Sequence, residues 1–297
     1  MKDEAIELAR SVREKGRAVQ INVLREYLQG AILRSLDRES AFDHVAFMGG
    51  TALRFLYGAP RFSEGLDLAV APASFGRYSM DVDLVLNGVR PGAMEHWIAQ
   101  AAKDLAGDGF EVSYSTNSKA TVHRGALRFA GLLNAAGLSR LPEEKVEVMV
   151  ELDTRPPAGA GFRVAEVRRP VPFKARFHDL PSLMAGKIAA LTLRKFVKAR
   201  DWYDFVFYGS FLKRGIEPNL TLLQNAIRQD AGAEWPAEQW RDRLRDKVLS
   251  PSFPASQDAE IRPYLDGVSP IPSLTKDAFL RLIDDARNRE EVDGITP

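Results

Sequence analysis

Gly49-Gly50-Thr51-Ala52-Leu53-Arg54-Phe55-Leu56-Tyr57-Gly58-Ala59-Pro60-Arg61-Phe62-Ser63-Glu64-Gly65-Leu66-Asp67-Leu68 is the stretch on which the reading of this chain turns. Ahead of it, Val45-Ala46-Phe47-Met48 is a short apolar run that stops at two glycines, as a buried strand would at a turn. Thr51 to Tyr57 then reads as a helix closed by Gly58 and Pro60, and residues 66–70 as the next strand. At such a strand-turn-helix junction, main-chain N–H groups of Gly49, Gly50 and Thr51 can approach phosphate oxygens with no Cβ in the way. A glycine pair alone fits a plain tight turn better; its weight comes from the residues that follow at fixed spacing.

Residues two apart on a strand share a face, so positions 65 and 67 would aim two carboxylates at one place. Asp67 is present, position 65 is glycine, and Glu64 points to the opposite side unless a bulge intervenes. Arg77-Tyr78-Ser79-Met80-Asp81-Val82-Asp83-Leu84 repeats the arginine-aromatic-serine opening of Arg61-Phe62-Ser63 and carries both acids. A strand over 82–86 paired beside 66–70 would bring Asp81 and Asp83 toward Asp67 as metal ligands; the alternative is that they are ordinary exposed strand residues. The chain has no cysteine and four scattered histidines, so a bound metal would be a hard cation held by oxygens.

Further strands are expected over 110–115, 121–129 and 145–153, with a helix over 91–105. In Lys145-Val146-Glu147-Val148-Met149-Val150-Glu151-Leu152-Asp153 the alternation is strict, which puts Glu147, Glu151 and Asp153 on one face. Glu151 and Asp153 are therefore candidates for a third catalytic carboxylate, a role that requires something positive nearby to offset three like charges. Phe162 to Val167 adds a last strand, a proline-interrupted connection spans 170–181, and the remainder reads as helical over 181–197, 201–213, 218–229, 236–247 and 275–288. Residues 4–37 carry apolar positions at helical spacing, giving three regions: an N-terminal helical cap (1–43), a core (44–175) and a C-terminal helical domain (176–297).

Nucleotide transfer from a triphosphate needs backbone amides for the phosphates, oxygen-held metal ions and a further carboxylate for the attacking hydroxyl. Arg61 and Ser63 precede the carboxylate strand, where a guanidinium and a hydroxyl suit triphosphate oxygens, although Arg61 could equally form a surface ion pair. Lys187 lies on the apolar helix that opens at Pro181, either snorkelling to solvent or contacting a triphosphate. Asp201 either caps the next helix or joins Asp204, whose position suits an ion pair that orients Lys187.

Residues 161–200 carry a net charge of +8, leaving −7 for the rest of a chain whose overall charge is +1. A basic block of this kind suits a polyanion such as RNA or a nucleoside triphosphate, or else solvated helix faces. The early acidic residues Asp3 and Glu4 argue against a secretory signal, no apolar run reaches the ~20 residues of a spanning helix, and a cytoplasmic location with no membrane partner is expected.

Five segments in order resemble the AbiEii toxin family of bacterial nucleotidyl transferases, which includes the MenT toxins. They are Gly49 to Leu53; Arg61 to Glu64 with Leu66-Asp67; Val150 to Thr154 with Pro156-Pro157; Leu180 to Leu183 with Gly186-Lys187; and Arg200-Asp201 with Tyr203-Asp204. The resemblance implies an α+β fold: a polymerase-beta-like nucleotidyltransferase mixed sheet with flanking helices, an N-terminal helical cap and a C-terminal helical region. It further implies that Gly49-Gly50 is the first motif, Asp67 the second member of a D-x-D metal pair, Lys187 the nucleotide-contacting lysine and Asp201 or Asp204 the acid of the last motif. A nucleoside triphosphate with Mg2+, transfer RNA as acceptor and a cognate antitoxin encoded nearby are implied with it. Gly65 stands where the family has aspartate, so a catalytically reduced member that binds nucleotide, RNA or a partner protein is the second reading; a small-molecule transferase is the third.

Overall fold

Seven strands form one mixed sheet in the computed structural model, which describes residues 1–71, 92–230, 232–254, 257–267 and 273–293. They are β1 (Val45–Met48), β2 (Gly65–Val70), β3 (Glu111–Asn117), β4 (Val122–Ala130), β5 (Val146–Asp153), β6 (Phe162–Val167) and β7 (Phe173–His178), in the order β3-β4-β5-β2-β1-β7-β6. β1 runs antiparallel to β2 and parallel to β7, while β2 runs parallel to β5. Flanked on both sides, β1 has no exposed apolar surface at Val45, Ala46 or Phe47. This explains why its sequence is continuously hydrophobic rather than alternating.

β7 corrects the expectation that 170–181 is a connection leading into helices. Pro170 and Pro172 precede the strand and Pro181 follows it, so they bound the element without removing a ladder donor from its interior. Phe173, Ala175 and Phe177 are buried at period two, and Phe177 pairs with Phe47 of β1, their ring centroids 5.7 Å apart. The strand proposed over 82–86, with Asp81 and Asp83, lies outside the described residues.

The helices are α1 (Lys2–Ser11), α2 (Arg17–Arg38), α3 (Gly49–Tyr57), α4 (Ala93–Gly107), α5 (Leu132–Ala135), α6 (Leu180–Leu193), α7 (Ala199–Leu212), α8 (Leu220–Gln229), α9 (Trp240–Leu249), α10 (Asp258–Ile261) and α11 (Lys276–Asp293). The chain divides into two compact units, residues 1–156 with 162–177 and residues 157–161 with 178–297. In the first, α2 buries Leu24, Leu28, Ile32 and Leu36 and packs on β5, while α4 lies against β3 and β4. Gly125 of β4, opposite Val150, is the point of closest approach to Ile98 of α4. The helix therefore covers the face that carries Val148, Val150, Leu66 and Leu68, all nearly fully buried.

The second unit is helical around an aromatic core. Trp202 packs on Phe279 and Phe253 with centroids 4.8 and 5.1 Å apart, and Phe205 packs edge-on against Trp240. Asp179 caps α6 by accepting from the Ser182 N–H at 2.9 Å, with Pro181 in the first turn, and Asn219 caps α8 through the Leu222 N–H. Side chains of Ser182, Asn219 and Asn225 hold the 157–161 segment by bonds to Gly161 N–H, Gly159 C=O and Ala158 C=O.

Candidate active site

Asp67 sits where the first unit brings its glycine turn and two parallel strands together. In register, Asp67 lies opposite Met48 of β1 on one side and Glu151 of β5 on the other. Gly49 has φ +78°, and a Cβ there would fall on the Asp67 carboxylate, so this position needs glycine on both backbone and steric grounds. At Gly50, whose backbone is ordinary, a Cβ would strike the tip of the Arg61 side chain, so any side chain there would displace the guanidinium. α3 starts here at Gly49, two residues ahead of the expected start, after Met48 and with no side-chain cap. The carboxylate and the guanidinium thus both lie against the opening of a helix, whose first N–H groups have no partner within the helix.

Arg61 is 3% exposed and its Nη1 donates to the Phe62 carbonyl at 3.1 Å, so its side chain lies inside the fold and not on the surface. Thr51 is fully buried, and its hydroxyl donates to the Gly65 carbonyl at 2.5 Å. Gln29 of α2 reaches the same region, donating to the Ser63 carbonyl at 2.9 Å and the Gly65 carbonyl at 3.5 Å. The main chain leading into the carboxylate strand is therefore tied at Ser63 and Gly65. Arg54 adds a third tie by donating to the Ala59 carbonyl at 3.0 Å while its guanidinium stacks 3.9 Å above the Phe62 ring and pairs with Glu26.

Gly65 faces the same side as Asp67, and its neighbour across the ladder is Met149. A Cβ at position 65 would stand 2.9 Å from the Met149 carbonyl oxygen, tighter than van der Waals contact allows and against backbone that cannot swing aside. The glycine is thus built into the β2–β5 pairing as well as being absent from the pair of acids.

The acidic face of β5 is compensated by arginines that sequence reasoning missed. Arg124 and Arg128 of β4 lie directly opposite Glu151 and Glu147, with ion-pair distances of 2.8 and 2.6 Å. The signal was available as two arginines four apart in an otherwise alternating strand. Both pairs are solvent-accessible and contribute little to stability, so Glu151 can exchange its partner at small cost. Asp153 behaves differently: it ends β5 and accepts from the Arg155 N–H at 2.9 Å, a local turn bond. Ser63 is half-buried, and its carbonyl accepts from Gln29.

A divalent cation must be supplied with hard oxygens. Asp67 and Glu151, level on adjacent parallel strands and on one face, suit a single ion completed by water and phosphate oxygens. Among the described residues there is no group of three or more acids or histidines able to hold a metal, so a two-ion set is not assembled by them.

The second unit holds the other predicted constellation. Lys187 Nζ bonds Asp201 Oδ1 at 2.6 Å and Asp204 Oδ2 at 2.8 Å, and Arg194 approaches Asp201 at 3.7 Å. The expected lysine–Asp204 ion pair is present, Asp204 is fully buried, and Asp201 serves Lys187 instead of capping α7. Burial works to raise the Asp201 carboxyl, but the charge and hydrogen bond of Lys187, helped by Arg194, outweigh it and hold it below the usual range. The basic block of 161–200 is not one surface: Arg176 is buried and Lys187 is neutralised in this cluster.

His178, 5% exposed at the end of β7, is kept neutral because burial pushes its imidazole down to about 4 despite the opposing pull of Asp179. An unfolded histidine titrates near 6.5, so below that pH the unfolded chain binds the extra proton and folding weakens as pH falls. Between pH 7 and pH 4 this group is expected to remove about 3 kcal/mol. A His178→Gln variant should show a shallower fall in urea midpoint over that range; an unchanged slope would refute the assignment.

Residues 31–281 match the family described as nucleotidyl transferase AbiEii toxin, type IV toxin–antitoxin system. No curated protein sequence matches the chain. Among solved structures, MenT4, a nucleotidyltransferase toxin from Mycobacterium tuberculosis, is similar at 15% identity and a TM-score of 0.54, with 99% of this chain and 97% of that one covered. JHP933 from Helicobacter pylori is similar at 18% identity and a TM-score of 0.51, covering 91% and 92%. At such identities the likeness speaks for the fold, whereas the family match spans most of the chain and includes both constellations. The chain belongs to the AbiEii nucleotidyl transferase toxin family.

Proposed function

We propose that this protein transfers a nucleoside monophosphate from a nucleoside triphosphate to an RNA acceptor, with transfer RNA as the acceptor and Mg2+ as the cation, as the toxin partner of a cognate antitoxin. The observation that carries the reading is the Asp67 carboxylate lodged against the Gly49-Gly50 opening of α3, level with Glu151 on the neighbouring parallel strand. In this reading Asp67 and Glu151 hold the cation, which when bound offsets triphosphate charge and polarises the phosphoryl group under attack. The N–H groups of the turn and the buried Arg61 take phosphate oxygens, with Ser63 at the strand entrance beside them. Asp153 supports the strand end as a turn residue. Asp81 and Asp83 remain candidates for further metal ligands. Lys187 is assigned nucleotide contact through the family resemblance, with Asp204 orienting its ammonium group. A cytoplasmic site of action belongs to this reading; among the described residues no helix is long and apolar enough to cross a membrane.

The test is incorporation of each of four labelled nucleoside triphosphates into a bulk transfer-RNA pool with and without Mg2+. Label should enter RNA with at least one nucleotide and disappear on chelation; no incorporation with any of the four counts against transfer. Gly65 favours a second reading, in which the chain binds nucleotide, RNA or a partner protein without chemistry. Activity that emerges only after Gly65→Asp would support it.

A further inference from the structure

Phe196 is 82% exposed, the most exposed of the large hydrophobic side chains among the described residues. It projects from the short connection between α6 and α7, Arg194-Lys195-Phe196-Val197-Lys198, in which Arg194, Lys195 and Lys198 are also exposed. Lys195 Nζ lies 5.5 Å from the Phe196 ring centre. Lys247 of α9 joins the same loop by donating to the Arg194 carbonyl at 2.7 Å. Of the acids close by, Asp201 is held chiefly by Lys187, with Arg194 3.7 Å away, and Glu260 accepts from the Ala199 N–H at 3.1 Å. A planar apolar ring held in water and ringed by cations answers the two halves of a nucleotide, a π-face for the base and positive charge for its phosphate.

We infer that this loop is a landing platform for a single-stranded stretch of nucleic acid, one unpaired base stacking on Phe196 while flanking phosphates meet Arg194, Lys195, Lys198 and Lys247. Several cations spread around one ring favour a chain of phosphates over a single nucleotide. The inference rests on the nucleotidyl-transfer reading only in naming that polymer as RNA.

The experiment titrates a labelled single-stranded oligoribonucleotide of mixed sequence with the full-length protein, by anisotropy, without triphosphate or divalent cation. Phe196→Ala should weaken binding about tenfold or more, Phe196→Leu should do the same, and Phe196→Trp should bind at least as tightly as wild type. Because the side chain is exposed, all three should melt with the wild-type protein. Lys198→Ala should lower the slope of log affinity against log salt by about 0.7. Wild-type affinity in the alanine or leucine variant overturns the inference, as does displacement of the oligonucleotide from the wild-type protein by free nucleoside triphosphate in a Phe196-dependent way. Failure of wild-type protein to bind the oligonucleotide at low salt, or binding only of a protein partner through this loop, overturns it too. Binding and transfer are read separately: Phe196-dependent binding without label incorporation leaves this inference standing while removing the transfer reading.

Discussion

Asp67→Asn is expected to incorporate nucleotide about a thousandfold more slowly than wild type, corresponding to roughly 4 kcal/mol of lost transition-state stabilisation. The amide keeps the shape of the carboxylate against Gly49 but removes the negative charge that, in the proposed reaction, binds the cation. The melting temperatures of variant and wild type are measured alongside the rates. That separates a chemical loss from a folding loss. Incorporation at the wild-type rate in Asp67→Asn would move the chemistry off β2 altogether.

The same site warns against treating Gly65→Asp as a simple restoration. Its Cβ would press on the Met149 carbonyl at 2.9 Å, and the strand is not free to retreat, because the Gly65 carbonyl is held by Thr51. Such overpacking costs about 1 to 3 kcal/mol. A lowered melting temperature is therefore part of the expected result, and any gain in activity must be corrected for the folded fraction before it can favour the non-catalytic reading.

What could be read from sequence was what is local. The β1, glycine turn, α3 and β2 succession follows from apolar runs and punctuating glycines, and the acidic face of β5 follows from strict alternation, so both were legible. β7 was not, because the prolines around it look like breaks and its place depends on parallel pairing with β1, far away in sequence. The arginines that neutralise Glu147 and Glu151 are visible as residues, yet only the antiparallel register of β4 with β5 reveals their partners. The lodging of the Asp67 carboxylate against Gly49 at the start of α3 and the closeness of Gly65 to the Met149 carbonyl are contacts between separate elements, to which no residue pattern corresponds. Lys187 lies between these cases: a lone lysine on an apolar helix predicted partial burial, and Asp204 in the next helix suggested the partner.

That cluster gives the second large effect. Lys187→Met should destabilise the second unit by about 3 to 5 kcal/mol, because it leaves the carboxylates of Asp201 and Asp204 buried without their cation. Three of the four tryptophans, Trp202, Trp235 and Trp240, belong to this unit, so urea unfolding followed by fluorescence reports on it. The pH dependence of the Asp201 contribution should change sign as well. In the wild type Asp201 is held low, and its contribution is present above the unfolded carboxylate pKa and lost as pH falls through the folded value. Without Lys187, burial becomes the dominant influence and lifts the folded pKa above the unfolded one, so the variant's deficit relative to wild type should shrink as pH falls, the His178 contribution being common to both. Combining Lys187→Met with Asp201→Asn and Asp204→Leu should recover much of the loss, since an apolar replacement of a buried ion cluster is often neutral or better. A single Lys187→Met variant with wild-type urea midpoints at both pH 4 and pH 7 would show that the three charges do not depend on one another, and would leave the lysine's burial without an electrostatic reason.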